Sequence, residues 1–128
     1  MNKIYIILPI LVSLLTFSSY SNGEWTYVTK NVEGDEFYID YDRFKKRDNY
    51  VYTWVLTDYL EPEYGDLSSF QFIKIHCGIP KKSKGFGRTS CDDNVGKGKC
   101  ETHYRETEWR YPKPDSVHEG IIDLVCLQ

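Results

Sequence analysis

The sequence has no excess of charge of either sign, with 16 Lys and Arg against 19 Asp and Glu in 128 residues. That balance argues against a polybasic nucleic-acid binder, whose electrostatic footprint would be strongly one-sided. Histidine is scarce. The three present, His76, His103 and His118, form no pair at metal-ligand spacing and combine with no serine and acid into an assignable catalytic set. The four cysteines are separated by 13, 8 and 25 residues and lack a C-x2-4-C pair, which does not fit a structural zinc site. Gly85-x-Gly87 and Gly96-Lys97-Gly98-Lys99 lack the spacing and the following Ser or Thr of a phosphate loop. Asp40 with Asp42, and Asp92 with Asp93, read as turn formers instead of acid/base pairs. No catalytic residue, metal or cofactor is therefore read from the sequence. Disorder is excluded by the opposite kind of observation, an aromatic content of 16%.

What is present begins with one apolar run. Met1, Asn2 and Lys3 precede the almost uncharged stretch from Ile4 to Phe17, and Ser19-Tyr20-Ser21 supplies small residues where a signal peptidase reads them. Residues 1–21 are expected to be a secretory signal peptide and 22–128 one small exported domain. The run falls short of the roughly 20 residues that span a bilayer, and no later segment is long and apolar enough to do so. Cys77 is the first cysteine, so no lipid-attachment cysteine follows the signal, and the domain is expected in the periplasm or at the cell surface, without a lipid anchor.

Export delivers Cys77, Cys91, Cys100 and Cys126 to an oxidising compartment, where two disulfides and three connectivities are possible. Residues 24–30 and 36–40 alternate around Trp25, Tyr27, Phe37, Tyr38 and Ile39 and predict a hairpin turning near Gly34. A charged connector, 41–48, leads to a β-branched and aromatic strand over 49–59. The stretch 61–66, with Pro62 and Gly65, should break it. In the next strand, 68–77, Gln71, Ile73, Ile75 and Cys77 share one face, and Phe70, Phe72, Lys74 and His76 the other. Strands over 85–91 and 99–106 flank a turn-rich loop. Pro112 and Pro114 then end strand structure, and Ser116-Val117-His118-Glu119 is a capping box opening a helix whose stripe is Val117, Ile121, Leu124 and Val125.

Pairing Cys77 with Cys126 joins the strand face of Ile73 and Ile75 to the helix face of Ile121 and Leu124. It closes a loop of about 50 residues, worth roughly 4 kcal/mol in chain entropy. Cys91 with Cys100 would staple the hairpin, at roughly 2.7 kcal/mol. The expected fold is α+β: a curved antiparallel sheet of about six strands with one C-terminal helix packed across it and tethered to it by a disulfide.

Trp25, Phe37-Tyr38-Ile39-Asp40, the run Val51 to Tyr59, Pro62, Lys74-Ile75-His76-Cys77, and Glu108-Trp109-Arg110-Tyr111 through Pro114, Ser116 and Cys126 together resemble the surface-adhesin protein E family of bacterial exported proteins. The likeness spans nearly all of 24–126 and implies the same sheet-and-helix fold and the Cys77–Cys126 bond. Its namesake is an outer-membrane adhesin of Gram-negative bacteria, so the resemblance implies a binding role toward host extracellular-matrix glycoproteins. Two features depart from the family pattern: the missing lipid-attachment cysteine and the additional Cys91, Cys100 pair.

Charge supplies an independent hint about partners. Residues 24–66 carry 5 basic and 11 acidic side chains, and 67–105 carry 8 and 3. Lys81, Lys82, Lys84, Arg88, Lys97 and Lys99 are the candidate residues for an anionic partner, an extracellular-matrix glycoprotein or an anionic polysaccharide; as edge-strand lysines they would also discourage sheet pairing. A sheet edge or the uncovered face would also accommodate a second copy of the chain. Two readings lead: an exported binding or adhesion module, and a periplasmic accessory or small-ligand-binding protein of the cell envelope with no host partner. An enzyme is the weakest reading.

Overall fold

A computed structural model of the chain describes residues 24–128; the expected signal peptide, 1–21, lies outside them. The described residues form seven strands and one α-helix: β1 Trp25–Lys30, β2 Glu36–Asp40, β3 Lys45–Arg47, β4 Tyr50–Glu63, β5 Asp66–His76, β6 Lys82–Cys91, β7 Cys100–His103 and α1 Val117–Cys126, with a single 3-10 turn at Asn94–Gly96. They make one open antiparallel sheet in the order β1-β2-β4-β5-β6-β7, with β3 pairing β4 beyond the end of β2. This is the expected α+β architecture, with the helix across one face.

The centre is the β4–β5 hairpin, and its turn shows why β4 outlasts the predicted break. Tyr64 and Gly65 both have positive φ, 51° and 83°, as a two-residue type I′ turn requires, and Glu63 pairs directly with Asp66. Pro62 is tolerated inside β4 because pairing with β2 ends at Asp58, leaving no ladder partner on that side. The predicted connector also contains an unforeseen strand. Lys45–Arg47 turns through Asp48 (φ 54°) and Asn49 to pair with Tyr50–Tyr52.

α1 packs on the face carrying Ile39, Val51 and Ile75, and with Ile121, Ile122 and Val125 these form the buried core. The stripe is rotated from the expected one: Ile122 is 1% exposed, while Leu124 is half-buried. Ile122 and Cys126 stand at i and i+4, so they share a helix side. The Cys77–Cys126 bond, with Cα atoms 5.5 Å apart, turns that side toward β5. At the N-terminus the Ser116 hydroxyl accepts from the Glu119 N–H at 3.1 Å. The Glu119 carboxylate reaches one residue further than a capping box predicts, to the Asp115 N–H at 3.2 Å.

Cys91–Cys100 closes the β6–β7 connection as expected. The enclosed loop folds back onto the sheet face opposite the helix. There the Ser68 hydroxyl donates to the Asp93 carbonyl and accepts from the Gly96 N–H, the Asp58 carboxylate accepts from the Val95 N–H, and Leu56 is fully buried. Asp92 and Asp93 act as turn formers, accepting from the backbone N–H groups of Lys99 and Asn94.

Candidate functional site: an aromatic and basic open face

Strand alternation separates the two faces of the sheet by chemistry. On β4 and β5 the cross-strand pairs facing away from the helix are Leu56 with Phe70, Trp54 with Phe72, Tyr52 with Lys74, and Tyr50 with His76. Successive pairs stand roughly 7 Å apart. Trp25 packs on Phe70 at 6.0 Å between ring centroids, Trp54 lies 5.7 Å from Phe70 and 5.2 Å from Phe72, and Phe86 lies 6.0 Å from Phe72. Phe86 reaches this strip because β6 bulges there: Phe72 pairs with Gly87 and Ile73 with Gly85, leaving Phe86 between. All of these rings are half-buried. They shield one another at tilted angles that suit their quadrupoles; α1 lies on the opposite face, and the loop closed by Cys91 and Cys100 reaches the strip at its Phe70 end.

Cations lie over the strip at two points. Arg43 sits above Trp54, 5.1 Å from its centroid, and above Trp25 at 6.0 Å. It is held by Asp40, a fully buried carboxylate that pairs with the Arg43 Nε and also accepts the N–H groups of Asp42 and Arg43. Asp40 is thus a turn former that also positions a charge.

The second point is at Trp109. After β7 the chain returns along β6, with Ser83 and Arg110 exchanging backbone hydrogen bonds at 2.9 and 2.8 Å, and alternation sends Trp109 to the open face. The ammonium nitrogens of Lys82, Lys84 and Lys74 lie 4.6, 4.9 and 5.9 Å from its ring centroid. Lys74 also sits 4.3 Å from the ring of Tyr50. One carboxylate answers this cluster, Glu106, bound to Lys84 at 2.6 Å.

The six basic residues singled out in the sequence are distributed over four places. Lys82 and Lys84 belong to the Trp109 cluster. Lys81 faces the helix and pairs with Asp123 at 2.8 Å. Arg88 donates to the Tyr59 hydroxyl and to Ser69, so it braces the β4–β5–β6 ladder. Lys97 and Lys99 lie in the disulfide-closed loop past the far end of β6, roughly 30 Å along the strand from Lys82. Lys74, Arg43 and Trp109 complete the cluster and the strip but were not singled out as partner residues. Lys74 was already on the Phe70–Phe72 face; what was missing was the β5–β6 register that sets it opposite Lys84.

A second constellation lies on the helix side. The Ser83 hydroxyl and His118 Nε2 are 2.6 Å apart. Burial, and then the Arg110 guanidinium, hold the imidazole below its ordinary value of 6.5.

Fold and site together define a disulfide-braced domain that presents one open sheet face. Residues 25–127 match the surface-adhesin protein E family, and the chain belongs to that family. Among solved structures it is similar to Haemophilus influenzae protein E. Crystal form II of that protein gives a TM-score of 0.63 at 17% identity, covering 83% of this chain and 88% of that one. A second structure gives 0.61 with 85% of that chain covered, and one from the non-typeable bacterium gives 0.58 with 76% covered. At such identity the likeness is one of fold. No curated protein matches the sequence.

Proposed function

We propose that this chain is an exported, non-enzymatic adhesion module that binds an anionic surface macromolecule through its open sheet face. The partner is an extracellular-matrix glycoprotein or an anionic polysaccharide, and the chemistry common to both is a sugar chain bearing sulfate or carboxylate groups. The observation that carries this reading is the convergence of three ammonium groups on Trp109 beside a strip of half-buried rings. Like charges gathered so closely repel one another, and the single carboxylate of Glu106 offsets only part of that; a bound anion would offset the rest. The neighbouring rings offer flat apolar surface, already ordered by mutual packing, on which a sugar ring can lie at little further entropic cost. Family membership supports display at the cell surface. Among the described residues no helix is long and apolar enough to cross a membrane.

Retention on immobilised heparin tests the reading. The wild-type domain should be retained at low ionic strength and released steeply as salt rises and the Debye length shrinks below about 10 Å, its value near 0.1 M. The K74A/K82A/K84A variant should elute early, and K81A/K97A/K99A, with the same loss of charge, should elute like wild type. Equal elution of the two variants would overturn the assignment to this face.

A further inference from the structure

The helix covers its side of the sheet incompletely. Between α1 and β6 lies a cavity of about 380 Å³, floored by Phe37, Val55, Ile73 and Ile121, a volume within the roughly 300–1,000 Å³ of small-molecule sites. The hollow has a local cause. Gly85 stands opposite Ile73, and a Cβ at this position would lie 1.9 Å from the Gln71 Nε2, so β6 contributes no side chain there and the Gln71 amide lies over the gap.

The wall of the cavity is polar and of one sign. Thr107, Arg110 and His118 contribute to it, and its lining contains no Asp or Glu. Lys84 also touches it, but its ammonium is bound to Glu106 toward the open face. Arg110 takes part in none of the ion pairs among the described residues. His118 is fixed by Ser83 at 2.6 Å.

We propose that this cavity binds a small amphiphilic anion, a medium-length hydrocarbon chain ending in a carboxylate. The chain lies on Phe37, Val55, Ile73 and Ile121, and the carboxylate meets the guanidinium of Arg110. An apolar floor is stabilised by an occupant that removes it from water. A guanidinium without a carboxylate partner offers a planar fork that matches one in two hydrogen bonds. A neutral amphiphile leaves Arg110 unanswered, a cationic one is repelled by it, and a polymer exceeds the volume. The site is separate from the open face and lies on the opposite side of the sheet.

The test is a titration of the disulfide-intact domain with decanoate, decan-1-ol and decyltrimethylammonium at pH 7.5, followed through the His118 ring protons by NMR and through heat of binding. Decanoate should bind saturably and move the His118 signals, and its charge should raise the pH at which His118 titrates. Decan-1-ol and the cation should bind at least tenfold more weakly. Arg110→Gln should reduce decanoate to the level of the alcohol, Val55→Phe should fill the cavity and abolish binding, and K74A/K82A, which alters the open face alone, should bind decanoate like wild type. Decanoate affinity no greater than that of decan-1-ol, decanoate affinity unchanged in Arg110→Gln, or saturable binding that leaves His118 unmoved would each overturn the proposal.

Discussion

The two faces of this sheet are built from the same strands and hold together in different ways. Toward the helix, Ile39, Val51 and Ile75 are aliphatic and reach burial only because Ile121, Ile122 and Val125 arrive from another part of the chain. Away from it, Trp25, Trp54, Phe70, Phe72 and Phe86 are large enough to shield each other across neighbouring strands, so most of their surface is covered with only the Cys91–Cys100 loop, at the Phe70 end, as a second layer. Aliphatic side chains need a lid, whereas a ladder of rings can remain open. The consequence is a division of labour, in which the closed face supplies stability and the open face stays available for contact.

The largest effect should come from freeing the lid. A Cys77→Ser/Cys126→Ser double variant should lose up to about 4 kcal/mol in urea unfolding, and Cys91→Ser/Cys100→Ser no more than about 2.7 kcal/mol. A larger loss from the second pair would mean that the open-face end, not the helix, dominates stability. Next in size is a direct trade between faces. Ile122→Ala should cost about 2–5 kcal/mol and leave heparin retention unchanged. Trp54→Ala should cost less, because the ring is already partly in water, yet should weaken retention. The reverse pattern would break the division. The smallest effect concerns pH. His118 has a folded value below its unfolded one, so the unfolded chain takes up the proton first. Stability should be full above pH 6.5 and decline as pH falls below it, levelling once the folded form protonates as well. Urea midpoints of His118→Gln measured from pH 8 to pH 5 should show this decline flattened.

Much of the closed face was legible in sequence, because strand alternation sets Ile73, Ile75 and Cys77 on one side; the helix stripe was legible only in part, since the disulfide at Cys126 turns Ile122 inward. β3 was not: Lys45-Lys46-Arg47 is short, charged and exposed throughout, and only its partner strand makes it a strand. The start of β6 was hidden for a related reason, since Lys82, Ser83 and Gly85 have little β character and are held by β5 and by the returning 107–110 segment. That return also decided the site. Nothing local in Glu108-Trp109-Arg110 says that the indole will meet lysines from β5 and β6 on one side while the guanidinium meets His118 on the other. Register between distant strands is a property of the assembled sheet, and the convergence on Trp109 depends on two such registers at once.

The loop bound by Cys91 and Cys100 sits over Leu56 and Phe70 at one end of the ring strip, while among the described residues the Tyr50 and Trp109 end has no such cover. A threadlike guest laid along the strands therefore meets an end stop in one direction and clear space in the other. On the proposed reading the platform is a berth with a closed bow: it would favour the terminus of a chain, or a chain that bends away at the stop, over one passing straight through.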